Sequence, residues 1–388
     1  MEERVQDSPR PSYVKVALLL SVVLLAVSPA LPKGDHGRPL SPAEFVSLIQ
    51  RISEDDGFFW NDNYVSNESS YQHPLKKMRE LGIQGGIYVG VGPNQNFTYI
   101  ANVQPDYAFI VDIRRQNMLE HLLFKSLMHF ARDRADYLSL LLSRPIRPEC
   151  FEEDAYTVED LVQYFQSAEP DSTLYQRTEQ RVKEFLDKSI HMPLSEGDLG
   201  MIDKIHQAFF TRGLSIKYDY IPVPTYAEFL TEKDIEGNRQ NFLNSPHDFL
   251  YVKRLEDQNR IIPVVGDFAG SHAFAELRSV LTEWNERVTV FYASNVEQYL
   301  LRNQNWPQFL KNVAALPLDD RAVFIRAYWS DRFDHPDLMP GYSFATVLQW
   351  AKPFLDNVDP SQNYSYRDIV TRNTIKLSTR QADAGSRP

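Results

Sequence analysis

Gly86-Ile87-Tyr88-Val89-Gly90-Val91-Gly92-Pro93-Asn94 and, a short way on, Tyr107-Ala108-Phe109-Ile110-Val111-Asp112 are the stretches from which the fold is read. Each holds a short continuous apolar run, the pattern of a strand buried on both faces. The first breaks at Gly90 and Gly92 into a turn and a short helix that ends before Pro105. The second leads to Leu119, Leu122, Leu123, Leu127 and Phe130, one apolar face at helical spacing. Strand, helix, strand, helix predicts a parallel sheet, because each strand needs a crossover to lie beside its predecessor in the same direction.

Working outward, the folded part begins at Ser41-Pro42-Ala43-Glu44, an N-cap, a first-turn proline and a capping-box acid ahead of Phe45, Leu48, Ile49 and Ile52. A polar, aromatic loop with Phe58, Phe59 and Trp60 precedes the first strand. Residues from about 131 to 210 read as a helical insertion after the second strand, opened by the capping boxes at Thr157 and Ser195. Alternation at Ile216, Tyr218 and Tyr220 predicts a half-buried strand. Three more strands follow at Ile261 to Val265, Val288 to Tyr292 and Val323 to Ala327, with a helix bearing Phe274, Leu277, Leu281 and Trp284 between the first two. The expectation is an α/β, Rossmann-like domain over residues 41–376, its mostly parallel sheet flanked by helices, with a frayed tail at 377–388.

Composition narrows the function. The chain of 388 residues carries a net charge of −11 and no basic cluster, which argues against nucleic-acid binding. Cys150 is the sole cysteine, so an intrachain disulfide, a Cys-rich zinc site and a dithiol redox centre are all excluded. Within residues 1–40, the apolar run Val16 to Val27 suits a signal-peptide core or an N-terminal membrane anchor, giving an exported or anchored protein. Asn67-Glu68-Ser69, Asn96-Phe97-Thr98 and Asn363-Tyr364-Ser365 fit the glycosylation sequon.

Ligands of open parallel sheets bind beyond the carboxyl ends of the strands. The residues there are Gly90, Gly92 and Asn94 after the first strand and Asp112 on the second. Asp267 follows the strand at Ile261, Asn295 and Glu297 follow the next, and Arg326 lies on the last. Glycines let the backbone turn tightly beside a ligand, and an acid ending the second strand accepts hydrogen bonds from a ribose diol.

In these residues the chain resembles the class I S-adenosylmethionine-dependent methyltransferases, with a glycine turn after the first strand and a ribose acid on the second. The resemblance implies that Gly90, Gly92 and Asn94 line the cofactor, that Asp112 holds its ribose, and that Asp267 or Phe268 corresponds to the position after the fourth strand, facing the methyl group. Gly86 to Arg115 and Pro263 to Leu300 also look like an uncharacterised bacterial family of conserved hypothetical proteins with such a core. The chain departs from the methyltransferase pattern at Tyr88, where an acid is usual, and at Asn94, which replaces a third glycine.

Two functions are open. One is an enzyme that binds S-adenosylmethionine and uses Asp267 and Glu297 as catalytic groups, with Asn295 and Arg326 elsewhere in the cleft. The other is an exported, non-catalytic binding domain with a degenerate site, favoured because S-adenosylmethionine is mainly cytoplasmic while the N-terminus suggests export. Capping roles compete for Asp267, Asn295 and Glu297. Arg326, within an apolar strand, demands a carboxylate partner such as Asp267 or Glu297. His121 and His129 have no third ligand at metal spacing, so no metal is expected. A small-molecule ligand in the cleft is the expected partner.

Overall fold

The computed structural model describes residues 37–151, 155–218, 223–329 and 335–377. The apolar run at 16–27, Tyr220 and nearly all of the expected tail lie outside the described residues. No helix among the described residues is long and apolar enough to cross a membrane.

Six strands form one sheet in the order β3-β2-β1-β4-β5-β6: β1 (Ile87–Gly90), β2 (Tyr107–Asp112), β3 (Ile261–Val265), β4 (Val288–Ser294), β5 (Leu318–Trp329) and β6 (Phe344–Trp350). The first five run parallel, and β6 pairs antiparallel with β5 along its whole length. The fold is α/β and Rossmann-like: from β1 the chain builds outward through β2 and β3, then returns to the other side of β1 with β4. The gap between β1 and β4 is therefore the switch point, where crossovers leave in opposite directions and open a crevice.

Helices α1 (Pro42–Ile52), α2 (Leu75–Glu80), α3 (Gln95–Val103) and α4 (Arg115–Phe130) precede the insertion. The insertion carries α5 (Arg134–Leu142), α6 (Val158–Ser167), α7 (Ser172–Glu184) and α8 (Glu196–Arg212), and α9 (Tyr226–Leu230) and α10 (Pro246–Asp257) follow it. The capping boxes read at Ser41, Thr157 and Ser195 all form. The strand expected from Ile216 does not: residues 216–218 are irregular, and no strand lies between β2 and β3 among the described residues. Ile216 is instead buried among helices and accepts a hydrogen bond from the amide of Tyr226, which satisfies its carbonyl without a neighbouring strand.

The remaining helices are α11 (Ala273–Glu283), α12 (Val296–Arg302), α13 (Trp306–Ala314), α14 (Ala351–Asp356) and α15 (Tyr366–Val370). Strand alternation assigns the two faces. Phe291 of β4 meets Phe274 of α11 and Phe309 of α13, whereas its neighbour Tyr292 meets Tyr99 of α3. Helix α1 packs against the β3 edge and is tied to α11 by Arg51, which pairs with Glu276 and Glu283 at 2.8 and 2.6 Å.

Candidate functional site

Beyond the carboxyl ends of β1 to β4 lies a cleft of about 350 Å³. Its floor comes from Val91, Gly92 and Gln95 after β1, Asp112 to Arg114 after β2, Gly266 to Phe268 after β3, and Ser294 to Val296 after β4. Phe58, Phe59 and Trp60 close one wall with Tyr218 and Tyr299. Phe59 meets Tyr299 edge-on at 5.5 Å and Trp60 meets Tyr218 at 6.0 Å, while Phe58 stays 89% exposed. With Trp60, half exposed, Phe58 puts contiguous apolar ring surface at the mouth of the cleft.

The turn after β1 is braced from within. The Asn96 amide donates to the carbonyls of Val91, Gly92 and Pro93 at 3.0, 3.0 and 2.7 Å, and its oxygen accepts from the Tyr88 hydroxyl at 2.8 Å. Gly90 is required by this packing, because a Cβ there would sit 2.1 Å from Asn96 Oδ1; it does not border the cleft. Gly92 does border it and adopts φ +80°, a conformation that favours glycine. The Gly92 carbonyl also accepts a hydrogen bond from His121 Nε2 at 2.9 Å, and burial pushes the His121 pKa down to about 4, so the ring is neutral. Asn94 is buried away from the cleft, donating to the Tyr226 hydroxyl at 2.7 Å. Asn96 is likewise fully buried, so of the three sequons Asn363 is the exposed one and Asn67 lines the cleft half-buried.

Asp112 borders the cleft as expected, but Arg114 holds it. One carboxylate oxygen accepts from the Arg114 amide and Nε, both at 2.9 Å, and the other from Nη2 at 2.7 Å. The guanidinium also lies over the Phe59 ring, 5.5 Å from its centre. Asp267 borders the cleft too, with Oδ1 accepting from the Ala269 amide at 2.9 Å in a local turn rather than capping α11. Because no strand forms at 216–218, β3 is the third strand of the sheet and not the fourth. Asp267 therefore stands next to Asp112 at the β3 edge, and the position after the fourth strand belongs to Ser294 and Asn295.

Asn295 lines the cleft without making a capping bond to α12. Glu297 and Arg326 do not border it. They form a fully buried bidentate pair at 2.5 and 2.8 Å, with the guanidinium against Phe354 and bonded to Gln349 at 2.5 Å. The partner demanded by Arg326 is thus Glu297, and this geometry makes Glu297 a structural counter-ion rather than a group in the cleft. His121 and His129 do not converge: His121 lies under the glycine turn, and His129 is exposed beside Asp257 at 2.9 Å.

Glu68, in the loop before α2, escaped the sequence reading. It is 1% exposed, borders the cleft, and accepts hydrogen bonds at Oε1 from the hydroxyls of Tyr292, at 2.7 Å, and Ser294. Its Oε2 has no partner, and burial raises the carboxyl above the usual range. Ser294 itself ends β4 at φ +53°, a costly conformation for a residue with a side chain and one that recurs at functional sites. Locally the sequence around it, Asn67-Glu68-Ser69, shows only a sequon, because the partners of Glu68 lie far along the chain.

One family model, described as a domain of unknown function, DUF7790, matches residues 63–385, a span that includes all six strands and Glu68. No curated protein matches the chain.

Proposed function

We propose, for a chain that belongs to the DUF7790 family, that the cleft binds a nucleoside-containing cofactor of the S-adenosylmethionine class and positions it for transfer to an acceptor. The observation that carries this reading is the convergence of Gly92, Asp112, Asp267 and Asn295, from four successive strand ends, on one aromatic-walled crevice at the switch point. Asp112 and Asp267 would face the nucleoside, and Ser294 and Asn295, after the fourth strand, would face the transferred group. Most of the catalytic work in such a transfer is alignment, which a rigid sheet edge supplies.

A second reading, an exported binding domain that makes no use of this cofactor, is favoured by the hydrogen bonds that fill the site's own groups. Arg114 occupies both Asp112 oxygens, Asn96 and His121 occupy the turn carbonyls, and Tyr88 stands where methyltransferases usually carry an acid. Calorimetric titration of the full chain with S-adenosylmethionine and S-adenosylhomocysteine decides between them. Saturable binding that Asp112→Ala weakens at least tenfold supports the enzyme reading; no binding to folded protein removes it.

A further inference from the structure

The cleft has two ends of different electrostatic character. At the β2 end Asp112 is neutralised by Arg114. At the β4 end Glu68 has no ion-pair partner among the described residues, although it is almost wholly buried. The other groups that bear on it are hydroxyls and one acid: Tyr88 of β1, Tyr99 of α3, Tyr292 and Ser294 of β4, Tyr366 of α15 and the carboxyl of Glu232. No basic side chain is among them. A buried carboxyl without a cation is costly unless a ligand brings one.

The hydrogen-bonding pattern at this corner is rich in acceptors. Oε1 of Glu68 is filled by two hydroxyl donors, which leaves Oε2 for a ligand. Beside it, Gln95 must present its nitrogen to the Val91 carbonyl, 3.3 Å away, and to the Tyr292 hydroxyl at 3.2 Å. Its oxygen is therefore the end left over, and it too is buried without a partner. Glu68 and Gln95, each with a buried oxygen that has no donor, both line the cleft walled by Phe59, Trp60 and Tyr299. A group with several N–H donors and a positive charge fits this set, because acceptors and ring faces both attract it.

We infer that the Glu68 and Gln95 corner of the cleft binds a protonated amino group. The inference rests partly on the proposed function in one respect: the amine belongs either to the amino-acid tail of the cofactor or to an acceptor bound beside it. A cation at Glu68 favours its ionised form, so binding of an amine is expected to lower the Glu68 pKa.

Calorimetric titration of the full chain with butylammonium and with butanol, its uncharged counterpart, tests the inference without any nucleoside. Butylammonium is expected to bind at least tenfold more tightly than butanol and to lose that advantage in Glu68→Gln. Equal binding of the two probes by the wild-type protein, or binding of butylammonium unaffected in folded Glu68→Gln, overturns it. The same protein titrated with S-adenosylhomocysteine and with 5′-methylthioadenosine, which lacks the amino-acid tail, separates the sources. A tenfold preference for the former, abolished in Glu68→Gln, assigns the amine to the cofactor. No such preference, with butylammonium still bound when methylthioadenosine is saturating, assigns it to the acceptor. If neither nucleoside binds and the butylammonium preference stands, the cofactor reading falls and the amine site remains.

Discussion

Replacing Arg326 or Glu297 tests whether the pair is structural. Both side chains are fully buried, joined by two hydrogen bonds of 2.5 and 2.8 Å, with a third bond from Arg326 to Gln349. Arg326→Met leaves a carboxylate with no counter-ion in the interior, and Glu297→Leu leaves a guanidinium there. Each is expected to cost about 3–5 kcal/mol. The double variant removes both charges and replaces them with apolar groups of similar reach, so only Gln349 Oε1 is stranded, at about 1–3 kcal/mol. Urea unfolding followed by tryptophan fluorescence should therefore show each single variant well below wild type and the double variant above both. Losses that simply add in the double variant, or single losses below about 1 kcal/mol, would refute the assignment. A catalytic Glu297 would behave differently, since Glu297→Gln would then abolish turnover while leaving the unfolding midpoint near that of wild type.

Further outcomes follow from other parts of the site. Gly90→Ala drives a methyl into Asn96 Oδ1 and the Tyr88 ring and should cost about 1–3 kcal/mol, whereas Gly200→Ala in α8, where a Cβ meets nothing, should gain about 0.5–1 kcal/mol. Arg114→Ala frees one Asp112 oxygen and leaves the other only its bond from the backbone amide, which should tighten S-adenosylhomocysteine binding several-fold; weakening as severe as that of Asp112→Ala would show that Arg114 itself touches the ligand. Burial lowers His73 and His121 from 6.5 to about 4, so the unfolded chain takes up their protons first as pH falls. That contribution to stability is complete above about pH 6.5 and is lost between there and about pH 4, and His121→Asn should flatten the dependence of the urea midpoint across that window.

What the sequence revealed depended on how local the determinant was. β1, β2, β3 and β4 are short apolar runs bounded by turns, and the capping boxes at Ser41, Thr157 and Ser195 are closed within four residues. The alternation at Ile216 and Tyr218 misled because burial against helices produces the same pattern as burial in a sheet. β6 was missed although Phe344 to Trp350 is largely apolar, because Thr346 and Gln349 interrupt it. Both are satisfied only by distant partners, Thr346 by Ser70 and Gln349 by Ile369. Glu68 is the extreme case. Its meaning depends on Tyr292 and Ser294, more than two hundred residues later, and nothing in Asn67-Glu68-Ser69 points to them.

The distance along the chain between β2 and β3 has a consequence for biosynthesis. Ala108 pairs with Ile261, and the partner of β1 on its other side, Val288 to Phe291, is later still. A ribosome working at about 5–20 residues per second needs roughly 8–30 s to make the intervening stretch of about 150 residues. During that interval β1 and β2 have each other but lack their outer neighbours, and each presents an unpaired apolar edge. Helices α5 to α8, whose contacts are more local, are available to fold first and to shelter that pair until β3 emerges. The insertion would then act during synthesis as an internal guard for the half-built sheet. An inward-facing cluster such as Glu68, Tyr292 and Ser294 would be assembled only once the chain had grown past β4.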